Sequence, residues 1–138
     1  MFRLRNIPPP LPIMPPQNVI TQMSKTDFLN AIQTNNGAIV IKFGAVWCGP
    51  CKQIEPLVYD LMSRMPENIK CACLDIDDEE SFDVYAYLKS KKMVNGVPAI
   101  LCWKKGNLTW IPDDVVIGAK PDQIQMLFDR CLREYANL

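Results

Sequence analysis

The amino-acid sequence predicts an α/β fold with a central mixed sheet of about five strands and four flanking helices. Short apolar, β-branched runs alternate along the chain with segments of helical periodicity, and the last two strand-like runs follow each other as a hairpin. Strands separated by helices become parallel neighbours, whereas a hairpin adds antiparallel strands. The 138 residues suffice for one such core.

The composition is that of a globular chain and excludes several functions. Hydrophobic residues make up 49% of the chain and charged residues 22%, so there is ample apolar material to bury. Fifteen Lys and Arg balance fifteen Asp and Glu, which leaves no bulk positive field for nucleic acid or an anionic membrane. The chain has no histidine, the commonest metal ligand and general base. We therefore expect no nucleic-acid or membrane partner and no bound metal.

An N-terminal arm, residues 1–18, precedes the predicted domain at 19–138. The arm holds six of the twelve prolines and no acidic residue, which is typical of a polyproline-type segment. It is either a tether that covers the sheet edge or a ligand for an aromatic-lined groove, through the spacing Pro9 to Pro12 or Pro12 to Pro15.

A secretory signal needs a continuous apolar stretch, and the prolines of the arm break any such stretch. We therefore expect a cytoplasmic protein.

The domain begins with a short strand and a helix. A strand is expected at 19–23, and a helix follows from Ser24, which forms a capping-box pattern with Asp27. Gly37 is expected to end this helix.

The second strand and second helix follow directly. Residues 38–43 form an almost continuous apolar run, which indicates a strand buried on both faces, and Lys42 is its one polar member. Apolar positions at i, i+3, i+4, i+7 and i+8 predict a helix at 50–65, kinked at Pro56.

The remaining elements complete the alternation. The patterns predict a strand at 69–76, a helix at 77–92, a strand at 97–103, a turn at Gly106–Asn107 leading to a strand that ends near Ile117, and a last helix from Pro121.

A Cys-Gly-Pro-Cys motif lies where the second strand meets the second helix. A Cys48 thiolate at a helix N-terminus is stabilised by the helix dipole and by N–H groups that lack intrahelical partners, which makes it a nucleophile. Cys51, one turn later, is within reach to resolve a mixed disulfide on Cys48. Gly49 permits the tight turn, and Pro50 fixes φ where its missing N–H costs nothing.

From about Val19 to Tyr135 the chain resembles the thioredoxin family. The features that carry the resemblance occur in the family's order: the signature WCGPCK at 47–52, the helix proline Pro56, the segment Gly96-Val97-Pro98, the hairpin glycine Gly106 and the late-strand glycine Gly118.

The resemblance implies a thioredoxin fold and dithiol–disulfide exchange on protein disulfides. It implies that an external reductase or dithiol recycles the pair, and that the Cys48–Cys51 disulfide serves without any other cofactor. By the same resemblance, the Val97–Pro98 bond is cis and faces the two cysteines, with the Val97 backbone pairing with substrate. We expect Trp47 to be a partly exposed substrate platform rather than a core side chain.

The sequence departs from the family at three positions near the motif. Lys42 stands where the family usually has a buried Asp, Cys73 where it often has a Lys, and Gly44 where it has a large aromatic residue. A buried Lys42 must either lose its proton or find a partner that stabilises its charge, and Cys73 is the candidate partner as thiol or thiolate. Lys42 is therefore a predicted tuning residue.

The other cysteines and the acidic run have alternative interpretations. The C-x-x-C motif forms half of a zinc site if Cys71 and Cys73 supply the other ligands, although a redox pair is favoured. Cys102 and Cys131 follow apolar patterns and are interpreted as small core residues. The acidic residues of 75–80 indicate a helix cap rather than a cation site.

Three functions remain open at this point. We favour a protein-disulfide reductase that acts through Cys48 and Cys51. The alternatives are an interaction module that uses the fold as a scaffold and a sulfhydryl-relay oxidant with an altered reduction potential.

Overall fold

The computed structural model describes residues 13–135, which fold into five strands and four helices. The elements in chain order are β1 (Val19–Ile20), α1 (Lys25–Gln33), β2 (Ala38–Gly44), α2 (Gly49–Ser63), β3 (Ile69–Asp75), α3 (Glu79–Ser90), β4 (Ala99–Lys104), β5 (Asp114–Ile117) and α4 (Pro121–Tyr135). The predicted α/β class is confirmed. Of the predicted proline-rich arm, residues 1–12 lie outside the described part. No helix within 13–135 is long and apolar enough to cross a membrane.

The five strands form one mixed sheet in the order β1-β3-β2-β4-β5. β2 is central; it pairs in parallel with β3, which pairs in parallel with β1. β4 runs antiparallel to β2, and β5 runs antiparallel to β4. The parallel register sets Lys42 directly opposite Cys73.

The two faces of the sheet differ in composition. One face, here called the sulfur face, carries the free cysteines and is covered by α2 and α4. The other, the aromatic face, is covered by α1 and α3. Its rings pack edge to face, with centroids 4.9 Å apart for Phe28 and Trp103 and 5.3 Å apart for Phe43 and Tyr85. Because side chains alternate along a strand, Lys42 and Cys73 point to the sulfur face.

α1 begins at the predicted capping box on Ser24 but ends at Gln33, so the expectation that it extends to Gly37 is wrong. Asn35 explains the early end, because its side chain accepts from the Gly37 N–H at 3.1 Å and forms a turn there. Gly37 in turn lies so close to the Asn68 carbonyl that a Cβ would collide with it. The glycine therefore serves a close approach and not a helix cap.

Several other element boundaries differ from the predicted ones by one or two residues. α2 starts at Gly49 and continues through Pro56. α3 begins after Asp78, whose side chain accepts from the Ser81 N–H and caps the helix. β4 starts at Ala99 rather than at residue 97, because Pro98 has no N–H to donate to the ladder.

Candidate active site

The structure joins Cys48 and Cys51 in a disulfide at the start of α2, with Cα atoms 5.2 Å apart. Cys48 is the N-cap residue of α2, and its Sγ accepts a hydrogen bond of 3.1 Å from the Cys51 N–H. The first N–H groups of a helix have no intrahelical partners, so the Cys48 sulfur takes the place that a capping oxygen usually occupies. Negative charge on this sulfur is stabilised by the same donors.

Gly49 and Pro50 form the first turn of α2, between the two cysteines. Both are exposed. Pro50 lacks an N–H at a position where no helical bond requires one, and a methyl group on Gly49 would meet nothing within 4 Å. The turn therefore brings the two sulfurs together, and the solvent-facing side of Gly49 is uncrowded.

The Val97–Pro98 bond is cis, as the sequence resemblance predicts. The Val97 carbonyl oxygen lies 3.9 Å from Cys48 Sγ, and Val97 packs against Ala45 and the two cysteines. The segment just before β4 and the start of α2 thus meet at the disulfide. This leaves the backbone of Val97 next to the reacting sulfur.

Trp47 is 67% exposed, so the alternative of a buried core ring is wrong. Its indole N–H donates a 2.8 Å hydrogen bond to Asp77, which fixes the ring beside the disulfide. Val46, which the sequence analysis did not single out, is 68% exposed and adds a second apolar side chain there. Val46 follows the buried strand β2 and directly precedes Trp47, and this position in the sequence is the signal that could have predicted its exposure at the site.

A cavity of about 750 Å³ lies on the sulfur face behind Cys51. Its lining includes Lys42, Gly44, Glu55, Tyr59, Cys73 and Ile13. The sequence analysis identified Lys42, Gly44 and Cys73 but missed the others, because only the packing of α2 over the sheet turns Glu55 and Tyr59 inward.

Lys42 is only 6% exposed and lies close to Cys51. A methyl group built on Gly44 would be 3.4 Å from Lys42 Nζ and 3.7 Å from Cys51 Cβ. The absence of a side chain at Gly44 therefore leaves the space in which the lysine amine approaches the resolving cysteine.

Cys73 faces the same cavity as a thiol. Burial raises its pKa from 9.0 to about 12, although the charge of Lys42 opposes that shift. Its Sγ lies 3.5 Å from the sulfur of Met62. Of the two forms left open by the sequence, the raised pKa favours the thiol over the thiolate.

Within residues 13–135 the four cysteines of the zinc interpretation are not gathered into one ligand set. Cys48 and Cys51 bond to each other, while Cys71 and Cys73 remain free on β3. Across residues 13–135 no group of three or more candidate ligands is arranged to hold a metal ion. Cys102 and Cys131 are buried in the core, as predicted.

The thioredoxin family model matches residues 19–130. The chain belongs to the thioredoxin family. A thioredoxin of Bacillus subtilis is 29% identical to it over 98 residues, which are 71% of this chain and 85% of that protein. A thioredoxin of Pyropia yezoensis is 26% identical over 102 residues, 74% of this chain and 86% of that protein.

Solved structures agree with the sequence matches. Oxidised mitochondrial thioredoxin 3 of Saccharomyces cerevisiae superposes with a TM-score of 0.64 at 26% identity and covers 81% of this chain and 94% of its own. The fold is therefore the thioredoxin fold, and the chain is a thiol–disulfide oxidoreductase with a redox-active disulfide. Protein disulfides as substrates and a reductase as partner follow in general terms from this membership.

Proposed function

We propose that the chain is a protein-disulfide reductase in which Cys48 is the nucleophile and Cys51 the resolving thiol. The position of Cys48 as N-cap of α2, with the Cys51 N–H 3.1 Å from its Sγ, carries this assignment. The two cysteines are 5% and 3% exposed, so the roles rest on the helix donors, which point to the N-cap sulfur of Cys48 while Cys51 lies inside the first turn.

In the first step the Cys48 thiolate attacks one sulfur of a client disulfide. A mixed disulfide forms, and the other client sulfur leaves as a thiolate that takes up a proton. The N–H groups at the start of α2 stabilise the Cys48 thiolate before attack, which raises the fraction of the reactive form near neutral pH.

In the second step Cys51 attacks the Cys48 sulfur of the mixed disulfide. The client leaves as a dithiol with both electrons, and Cys48 and Cys51 form the disulfide present in the structure. An external dithiol or reductase then reduces this pair.

The surface around the disulfide fits an extended client segment. The Val97 backbone lies next to Cys48 Sγ, and Pro98 contributes no N–H to β4 there, so the Val97 polar groups are available to pair with a client as a strand does. Trp47, which directly precedes Cys48 in the chain, supplies an exposed ring.

The experiment that tests the role assignment compares two single variants of the full chain. Cys51→Ser retains the attacking thiol and accumulates reducible adducts with a disulfide client such as insulin on non-reducing gels. Cys48→Ser forms no such adducts, and both variants lose turnover. Equal trapping by the two variants would contradict the roles.

A sulfhydryl-relay oxidant is the second candidate, and Lys42 favours it. A cation beside Cys51 stabilises the reduced, ionisable form of the pair and makes the disulfide a stronger oxidant. The reduction potential against glutathione separates the two directions. A chain with no insulin-reducing activity but a partner that requires residues 1–18 would instead be an interaction module.

We place the protein in the cytosol. The four cysteines outside the active-site pair are all free, which suits a reducing compartment. Localisation of a fluorescent fusion of the full chain tests this placement.

A further inference from the structure

Two buried thiols meet far from the active-site motif, on the sulfur face. Cys102 lies in the middle of β4 and Cys131 in α4, and their Sγ atoms are 3.5 Å apart. The residues are 2% and 4% exposed. This thiol pair joins the central sheet to the last described helix, two elements that are 29 residues apart in sequence.

Two ion pairs flank the thiol pair where α4 meets the sheet. Asp114 is the register partner of Cys102, and its carboxylate accepts hydrogen bonds of 2.8 and 3.0 Å from Arg130. On the other side of the thiol pair, Lys104 Nζ lies 3.1 Å from Glu134. α4 is held on the sheet by its buried apolar side chains, among them Ile124, Leu127 and Phe128, so the two sulfurs meet inside a packed interface.

The third cysteine on this face is not aligned with the pair. Cys71 is separated from Cys102 across the sheet by Val40, which pairs with both. Its sulfur lies 3.8 Å from the carbonyl of Ile69 on its own strand. Of the cysteines on the sulfur face, Cys102 and Cys131 are therefore the pair placed to form a disulfide.

We propose that Cys102 and Cys131 are a second oxidisable dithiol, which a small disulfide of the glutathione class converts to an intramolecular disulfide that fastens α4 to β4. The sulfurs are already in contact at 3.5 Å, and bond formation requires them to approach to about 2.05 Å. Formation of this bond is independent of the reaction at Cys48.

The reaction balances in two exchanges. A Cys131 thiolate attacks one sulfur of the small disulfide, forms a mixed disulfide and releases one thiol. Cys102 then attacks the Cys131 sulfur, closes the protein disulfide and releases the second thiol. Two electrons pass from the protein to the reagent, and the two protons end on the released thiols.

Cys131 is the first to react because it lies on the outer element. The contact with Cys102 lowers the pKa of Cys131, whereas the same contact and burial raise the pKa of Cys102. Burial of both sulfurs makes the reaction depend on local opening of α4, so it is slower than exchange at the active site.

The test uses the full chain with Cys48→Ser and Cys51→Ser, which removes the active-site disulfide. This parent is incubated natively with glutathione disulfide, quenched in acid, unfolded, alkylated and analysed by intact mass. We expect the number of alkylated thiols to fall from four to two, and peptide mapping to join Cys102 to Cys131. The oxidised form should melt at a higher temperature, and dithiothreitol should reverse the shift.

Two further variants of the parent serve as matched controls. With Cys71→Ala the loss of two thiols persists, whereas with Cys131→Ala it disappears. Three results would overturn the proposal: four free thiols after prolonged incubation, a cross-link that includes Cys71 or Cys73, or a glutathione adduct on Cys131 that does not close. Mapping in the parent decides the question even if Cys131→Ala folds poorly.

Discussion

Lys42 and Cys73 are direct partners in the parallel β2–β3 ladder, and both line the cavity behind Cys51. Because Cys73 is a thiol, it does not neutralise the lysine. The carboxylates of Glu55 and Asp75 are the acidic groups that line the cavity together with Lys42. We therefore expect Lys42 to act on Cys51, the resolving thiol, and not to form a buried ion pair with Cys73.

Replacing Lys42 by Met should make the protein more reducing. A positive charge near Cys51 favours thiolates over the neutral disulfide, so its removal destabilises the reduced form and lowers the reduction potential. We expect a shift of about 30 mV, equivalent to ~1.4 kcal/mol. Equilibration of the wild type and the variant with glutathione buffers measures it.

The matched control for this prediction is Lys70→Met. Lys70 lies on β3, points to solvent and does not line the cavity, so its removal should leave the potential unchanged. An unchanged potential in Lys42→Met, or a shift towards a more oxidising value, would refute the role of the buried charge.

Stability should fall in alkaline solution because of the buried thiols of β3. Burial raises the pKa of Cys71 from 9.0 to about 12. Its stabilising contribution is complete below pH 9 and is lost as the pH rises towards 12, because the unfolded chain ionises first. The free energy of unfolding should fall in this range by about 1.4 kcal/mol per pH unit for each such group.

Denaturant unfolding at several pH values between 8 and 11 tests this dependence. The variant Cys71→Ala should show a smaller slope than the wild type. Val116→Ala, a core truncation without a titrating group, should lower stability equally at every pH. A slope that Cys71→Ala leaves intact would assign the alkaline loss to other groups.

Gly37→Ala should destabilise the fold by about 1–3 kcal/mol. The new methyl group would collide with the Asn68 carbonyl, which also accepts from the Ala38 N–H at the start of β2. Gly49→Ala is the control, since its methyl group meets nothing within 4 Å and alanine favours a helix. Equal melting temperatures for the two variants would contradict the steric explanation.

Removal of residues 1–12 should leave stability and activity on a small disulfide unchanged. Within residues 13–135 the buried hydrophobic core begins at Val19, and the proline-rich sequence before it offers few core positions. Removal through residue 16 further deletes Ile13, which lines the cavity, and the Pro16 carbonyl that accepts from Val19. A loss of melting temperature as large as that of Val116→Ala would show that the arm belongs to the core.

The site could be predicted where local chemistry decides it. The Ser24 cap, the helix start at Cys48 and the shared direction of Lys42 and Cys73 follow from short-range patterns and strand periodicity. The contact between Cys102 and Cys131 could not, because it depends on the rotation and height of α4 over the sheet. The rotation and height of α4 cannot be read from any short sequence pattern.

The end of α1 could not be predicted for a similar reason. Gly37 carries the ordinary signal of a helix terminus, yet its neighbour in space is the Asn68 carbonyl. The Asn35 side chain also donates to the Trp103 carbonyl at 3.1 Å, which ties the turn to β4. The local Asn35–Gly37 hydrogen bond that ends the helix is therefore supported by partners more than thirty residues away, Asn68 and Trp103.

The division of the sheet into a sulfur face and an aromatic face gives the chain an internal marker of strand alignment. Cys71 and Cys73 are two residues apart on β3 and both lie on the sulfur face. A β3 that docked one residue out of register would turn both thiols among the aromatic rings, away from α2 and α4. The chemical environment of these two sulfurs in a refolded sample thus records whether the central strands have aligned correctly.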